Sequence, residues 1–123
     1  MTTGDRRLRL DILHDDRTVD GAVSAASYGA EAGVHTFWLP QIESLDPLIT
    51  LAMVAKKVPG IRVGAAVIAI QTVLPTLLAQ QALTVNQIAG DRFTLGLGVS
   101  HEPIVTGDWG LEWDRPRSLM EEY

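Results

Sequence analysis

Two buried strands joined by a crossover helix occupy residues 61–101 and constrain the fold more than any other feature. The stretch begins with the apolar run IRVGAAVIAI, continues with the helix-patterned segment LPTLLAQQALTVNQIAG and ends with DRFTLGLGVSH. The first run lacks clean alternation, which is typical of a strand buried on both faces. Parallel strands need such a crossover connection. The stretch therefore predicts a parallel βαβ unit whose second strand ends in a polar, glycine-spaced tip.

Strand and helix patterns also alternate before this unit. Apolar residues alternate with charged ones over positions 7–12, which predicts a first strand. Thr18 is the expected N-cap of a helix that runs to about position 32, and Gly33 is placed to end it in a left-handed conformation. Residues 36–39 are predicted as a second short strand.

Two further helices have clear start and stop signals. Asp46 and Pro47 begin the second helix, because Asp can cap a helix and Pro suits its first turn. Pro75 opens the third helix and Gly90 closes it. Residues 93–99 are then predicted as the fourth strand.

The predicted element order is βαβαβαβ, followed by an irregular stretch and the first turns of a further helix over residues 118–123. Alternating units of this kind imply an α/β fold with a parallel sheet and right-handed crossovers. Two closures fit the pattern, an open doubly wound sheet and a barrel. A complete eight-fold barrel takes ~250 residues, so four βα units in 123 residues amount to half of one. We expect a single domain over residues 1–123, and the abrupt stop predicts a truncated chain.

Composition and charge exclude several classes of partner. The formal net charge is −5, and the ten Lys and Arg residues form no stripe that could track a phosphate backbone, so we expect no nucleic-acid partner. The N-terminus lacks the apolar core of a signal peptide, and the longest apolar runs are far short of the ~20 residues that span a bilayer. We therefore expect no membrane partner. The absence of cysteine excludes disulfides and suits a cytoplasmic protein.

His101 is the candidate catalytic residue that the strand pattern indicates. It follows the sequence GLGV at the C-terminal tip of the fourth strand, and barrel enzymes carry their chemistry at this end of the strands. An imidazole there can donate to a coenzyme carbonyl or a substrate oxygen and titrates near neutral pH. The alternative is a loop histidine in solvent. Ser100 beside it could bind a cofactor, although loop serines usually serve turn chemistry.

Other polar and aromatic residues have simpler interpretations. The first βα turn has no glycine, which argues against a dinucleotide fingerprint. His14, Asp15 and Asp16 match no zinc spacing, so a charged loop is the better interpretation, with substrate contact left open. We expect Trp38 in the core. Trp109 lies in the long loop after the fourth strand, where it either walls a substrate pocket or pins the loop, and Trp113 is interpreted in the same way.

The chain resembles a known family over nearly its whole length. The matching segments are AEAGVHTFWLPQ, DPLITLAMVAKKVPGIRVGAAVIAI, AQQALTVNQIAGDRFTLGLGVSHEP and GLEWDRPRSLMEEY. In this order and spacing they resemble the N-terminal half of the luciferase-like monooxygenases. The resemblance is specifically to the branch of oxidoreductases that depend on the deazaflavin coenzyme F420.

The resemblance implies a TIM (β/α)8 barrel, of which this chain is the N-terminal half, with the coenzyme across the C-terminal mouth. In such enzymes the third strand often carries a bulge with a non-prolyl cis peptide against which the deazaflavin ring packs. The matching positions are Ala66 and Val67, whose small side chains would let a flat ring approach the backbone. The family's polar position after the second strand falls on Gln41, where many relatives have an acid. The predicted cofactor contacts are therefore Gln41, Ala66, Val67, Gly98 and Ser100, with His101 as the catalytic group.

Three functions stay open at this point. The first is an oxidoreductase that transfers a hydride between F420 and an organic small-molecule substrate. The second is an FMN-dependent luciferase-like monooxygenase, which shares the barrel. The third is a non-catalytic half-barrel that only self-associates, because four open parallel strands expose two edges and an apolar interior. We expect the isolated chain to be a homo-oligomer or to be poorly soluble. The resemblance implies that strands five to eight of the barrel, which this chain lacks, carry much of the binding site for the coenzyme phosphate.

Overall fold

Four parallel strands with helices between them form the fold, which the computed structural model describes over residues 8–15, 17–42 and 44–123. The strands are β1 (Asp11–Leu13), β2 (Thr36–Leu39), β3 (Arg62–Ala69) and β4 (Phe93–Gly98). The helices are α1 (Val19–Glu31), α2 (Pro47–Lys57), α3 (Pro75–Ala89) and α4 (Pro116–Glu122). A 3₁₀ turn at Ile70–Thr72 and a π-helical turn at Ile104–Asp108 complete the described elements.

The strand order decides between the two closures. The strands lie in the order β1-β2-β3-β4, and each is parallel to its neighbour. A doubly wound sheet changes direction at a switch point, whereas a sequential order with right-handed crossovers puts every helix on one face. In agreement with this, α1 packs on α2 and α2 packs on α3. The sheet is wound in one direction, as in a barrel.

The core lies between the sheet and this layer of helices. Phe37 of β2 and Val63 of β3 are neighbours in register, and both are fully buried. Leu51 and Val54 of α2 are buried with them, each contributing about 1.5–3 kcal/mol of hydrophobic free energy. Side chains alternate between the two faces of a strand, so Leu13 belongs to the opposite face, where it is 65% exposed.

The helix boundaries follow the predicted caps. The Thr18 hydroxyl accepts a hydrogen bond from a first-turn N–H of α1 at 3.0 Å, and the Asp46 carboxylate does the same for α2 at 2.9 Å. Gly33 and Gly90 follow α1 and α3 with φ of +82° and +58°. Within the described ranges, none of the helices has the length and apolar character needed to cross a membrane.

The first strand is shorter than its alternation predicts. β1 covers three residues, Leu8 is 85% exposed, and position 7 lies outside the described residues. The reason is that β2 begins at Thr36, which pairs with Asp11, so residues before Asp11 extend past the end of their neighbour. The Leu10 carbonyl still accepts a hydrogen bond from the His35 N–H, which lies just before β2, at 2.7 Å.

The region after β4 is more regular than predicted. The π-helical turn buries Val105, and the Leu111 N–H donates to the Val105 carbonyl at 2.9 Å. The last helix begins at Pro116 rather than at position 118, because Pro is favoured in a first helical turn. β4 itself ends at Gly98, one residue earlier than predicted.

Candidate functional site

A bulge interrupts β3 near its carboxyl end. The pairing with β4 shifts between Ala65 and Ile68, so that Ala66 and Val67 lie opposite Gly96 alone. The peptide bond between Ala66 and Val67 is cis, at the position that the family resemblance implies. Ala66 is half-buried and Val67 is 41% exposed. The bulge therefore presents a small apolar surface at this end of the sheet.

The glycine spacing of β4 is a packing requirement of this bulge. A Cβ atom added to Gly98 would lie less than 3.0 Å from Cγ2 of Val67. A Cβ atom on Gly96 would lie equally close to the Ala65 carbonyl oxygen. The two glycines thus let β4 pass beside the bulge. The contact of Gly98 with a cofactor stays a prediction.

Trp38, which the sequence predicts in the core, is half-buried and lies on the face of the sheet opposite the helices. Its ring covers Gly64 of β3 so closely that a Cβ atom there would come within 3.0 Å of it. The indole Nε1 donates to the Asp11 carboxylate at 3.1 Å. The physical reason is alternation along β2, because Phe37 and Leu39 on either side point into the helix-side core.

Gln41 lies just after β2, and its side-chain amide reaches the end of β3. Oε1 accepts a hydrogen bond from the Ala69 N–H at 2.7 Å, and Nε2 donates to Oγ1 of Thr72 at 3.1 Å. The Thr72 hydroxyl in turn donates to the Ala69 carbonyl at 2.8 Å. Both ends of the amide therefore bond within the chain, and the predicted cofactor contact of Gln41 stays a prediction.

A cleft of about 390 Å³ opens at the carboxyl ends of the strands. This volume lies in the range of small-molecule pockets, roughly 300–1,000 Å³. The walls combine hydroxyl, amide and carboxylate groups with apolar and aromatic surface. The lining residues are Gln41, Ile42, Thr72, Ser100, Ile104, Asp108 and Trp109.

The structure brings two of the predicted site residues, Gln41 and Ser100, into this cleft. Ser100 is half-buried and has a φ of +60°. His101 follows it but is exposed and is not part of the cleft lining. Its backbone carbonyl accepts hydrogen bonds from the N–H groups of Ile104 and Val105 at 3.1 and 3.0 Å, which starts the turn after β4. The catalytic role of His101 stays a prediction.

Sequence reasoning missed Thr72 and Asp108 as lining residues. Thr72 follows β3 at the same edge as Gln41, so its position after a buried strand is a signal that could have identified it. Asp108 reaches the cleft through the π-helical turn, which no clear periodicity marks. Trp109, one of the two loop tryptophans, lines the cleft, whereas Trp113 does not.

The tip of β1 forms a separate, much narrower crevice. His14 and Asp15 line it, and the His14 ring lies 5.7 Å from the ring of Phe37, tilted by 35°. Asp16, which the sequence groups with them, lies outside the described residues. Among the residues that are described, no three His, Asp or Glu side chains gather closely enough to hold a metal ion.

Comparison with known proteins gives matches over nearly the whole chain. A model of the luciferase-like monooxygenase family matches residues 7–123. A protein of Mycobacterium tuberculosis (strain ATCC 25618 / H37Rv), named as a coenzyme F420-dependent oxidoreductase, is 32% identical over 93 residues. The match covers 76% of this chain and 27% of that protein.

Solved structures show the same fold at lower sequence identity. The coenzyme F420-dependent tetrahydromethanopterin reductase from Methanopyrus kandleri has a TM-score of 0.74 and 19% identity, over 86% of this chain and 30% of its own. The oxygenating constituent of 3,6-diketocamphane monooxygenase from Pseudomonas putida, in complex with FMN, has a TM-score of 0.82 and 15% identity. That match covers 94% of this chain and 38% of the monooxygenase. The chain spans well under half of these relatives, and its predicted fold, part of an α/β barrel, is confirmed.

Proposed function

This chain belongs to the luciferase-like monooxygenase family, and we propose that it binds coenzyme F420 at the carboxyl ends of its strands for hydride transfer to or from an organic substrate. The observation that carries the proposal is the cleft at the carboxyl ends of the strands, the end of the sheet where α/β enzymes bind their ligands. The choice of F420 over FMN rests on the name of the Mycobacterium relative.

The described residues fit the ring of such a coenzyme. The Val67 side chain offers an apolar surface at the bulge, Trp109 offers an aromatic wall, and the Ser100 hydroxyl can bond polar ring atoms. They do not fit its anionic tail. Among the described residues of the cleft lining there is no Lys or Arg, and Asp108 adds a carboxylate. The tail would therefore need cationic groups from outside this cleft.

The protein's part in the reaction is to orient the ring and to exclude water from it. When bound, F420 supplies the ring carbon that gives or accepts a hydride. We assign to His101 the donation of a hydrogen bond or proton to a coenzyme or substrate oxygen, because an imidazole N–H can donate to an oxygen acceptor. We assign to Ser100 a hydrogen bond to the coenzyme, since it lies in the cleft wall.

A titration of the 123-residue chain with F420, followed by absorbance and fluorescence with FMN in parallel, tests the proposal. Two tryptophan variants sharpen it, because Trp109 and Trp113 are both half-buried in one loop and only Trp109 lines the cleft. Trp109→Ala should weaken F420 binding by about tenfold through the loss of an aromatic contact. Trp113→Ala should bind like the parent chain.

Saturable F420 binding with this pattern supports the proposal. Tight binding of FMN in place of F420 transfers the assignment to an FMN-dependent luciferase-like monooxygenase. Binding of neither cofactor contradicts both.

Self-association is a second candidate role, from a different class. It is favoured by the two edge strands, which expose Leu13 in β1 and Leu97 (39% exposed) in β4. We propose that the 123-residue chain forms a dimer or larger homo-oligomer through these strands. We also propose that the protein acts in the cytoplasm. Analytical ultracentrifugation checks the oligomer, and a well-dispersed monomer contradicts it.

A further inference from the structure

β3 extends beyond the strand that should support it. The pairing of β2 with β3 ends where Leu39 lies opposite Ala65, yet β3 continues to Ala69. The last four residues of β3, which include the bulge, therefore have no β2 backbone beside them. Pro40 follows directly and has no N–H to donate, so the ladder cannot continue.

The Gln41 side chain occupies the place of the missing strand. The Ala69 N–H can only donate, so the amide atom it meets at 2.7 Å must be the oxygen. The amide nitrogen then donates a hydrogen bond to the Thr72 hydroxyl, and this hydroxyl donates a hydrogen bond to the Ala69 carbonyl. Gln41, Thr72 and Ala69 are thus joined in a ring of hydrogen bonds in which every donor has an acceptor. One side chain and one hydroxyl thus satisfy both backbone groups of Ala69.

This ring of hydrogen bonds lies in the wall of the cleft. Gln41 and Thr72 both line it, and Ala69 lies two positions after Val67, the second residue of the bulge. A shift of Ala69 would move the bulge, since the two are parts of one strand. The hydrogen bonds that hold Ala69 therefore also hold the surface of the bulge against which the coenzyme's flat ring would lie.

We propose that Gln41 is a positioning residue, which replaces the missing strand neighbour of β3 and holds the cleft wall through Ala69 and Thr72. This role differs from the direct cofactor contact that the family resemblance implies for Gln41. Its effect on the backbone is independent of any ligand, and its effect on binding rests on the proposed function.

The backbone effect is measured by amide hydrogen exchange at Ala69 in the ligand-free chain. Gln41→Met keeps the length of the side chain and removes the acceptor, so exchange at Ala69 should become about five- to tenfold faster, as expected for one lost hydrogen bond. Gln41→Glu retains an acceptor oxygen and should restore most of the protection. Gln87→Met, on the exposed surface of α3, is the matched control and should leave Ala69 unchanged.

The binding effect is measured by F420 titration of a pair of variants that add no charge. Thr72→Val opens the ring of hydrogen bonds and should weaken binding by about fivefold, whereas Thr72→Ser retains the hydroxyl and should restore binding. Unchanged amide protection of Ala69 in Gln41→Met overturns the proposal. If that variant also binds F420 more weakly while the exchange at Ala69 is unchanged, Gln41 contacts the coenzyme directly. If the parent chain binds neither F420 nor FMN, the proposed function fails, and the exchange result still decides the role of Gln41.

Discussion

Substitution of Gly98 by alanine should distort the bulge through one identifiable contact. The added Cβ would lie less than 3.0 Å from Cγ2 of Val67, a separation that folded proteins do not show. The φ of Gly98 is not in the left-handed region, so alanine meets no backbone penalty there. Val67 or the strand must move, and overpacking of this kind costs about 1–3 kcal/mol of folding free energy. We expect Gly98→Ala to be destabilising within this range.

The contact distances also predict that a second substitution, Val67→Ala, relieves the clash. The Cβ of an alanine at this position would be 3.4 Å from the Cβ and 3.9 Å from Cγ1 of Val67, both close to ordinary contact, so the conflict is with the Cγ2 methyl group alone. In a Val67→Ala background, Gly98→Ala should therefore cost less than ~0.5 kcal/mol. The double-mutant cycle should give a coupling free energy of roughly 0.5–3 kcal/mol, the difference between these two costs.

Urea unfolding followed by circular dichroism measures the four corners of this cycle. Gly107→Ala is the matched control, because a Cβ atom there has no described neighbour within 4 Å. It should change stability by no more than ~0.5 kcal/mol. Additive effects of Gly98→Ala and Val67→Ala would refute the reasoning, since the clash would then not involve the Cγ2 methyl group of Val67.

Three further predictions concern other parts of the chain. Arg92 donates to two backbone carbonyls, one in the last turns of α2 and one just before β3, so Arg92→Met should cost about 1–3 kcal/mol in urea unfolding, with Arg92→Lys intermediate. Burial raises the pKa of Tyr123 above 10.0, and its hydroxyl donates to the Val73 carbonyl at 2.7 Å. Because the folded chain holds the phenol proton more tightly, the contribution of Tyr123 to the free energy of unfolding is complete below pH 10.0 and falls as the pH rises through the folded pKa. In Tyr123→Phe, the free energy of unfolding measured from pH 9 to 11 should not show this fall. Asp108→Asn should tighten F420 binding about two- to fivefold at low salt, with the gain lost at high salt; equal affinity would show that the carboxylate does not face the anionic tail.

The parts of the fold that could be predicted are those with local signals. Asp46 and Gly90 mark helix ends through their own backbone and side-chain chemistry, and both act as predicted. The start of β1 could not be predicted from its alternation, because it depends on where β2 begins. The turn that brings Asp108 to the cleft is short and buries Val105, and no periodic pattern in its sequence marks it.

The site could be predicted as far as the strand ends determine it. Gln41 and Ser100 follow different strands, and both reach the cleft because carboxyl ends of parallel strands meet at one edge. The packing role of Gly98 depends on Val67 in the neighbouring strand, so no local pattern could reveal it. The hydrogen bonds of Gln41 depend on the unequal lengths of β2 and β3, which are likewise a property of the assembled sheet.

The sequential strand order has a consequence for how the chain reaches its native state. β1 pairs with β2, β2 with β3 and β3 with β4, while α1 packs on α2 and α2 on α3. Every one of these interfaces joins an element to the next of its kind along the chain. Each strand pairing spans a single helical crossover, with paired residues 25 to 30 positions apart, and parallel strands cannot be joined by much shorter connections. Each βα unit can therefore dock on the one before it as it leaves the ribosome, with the growing edge of the sheet serving as the template for the next strand.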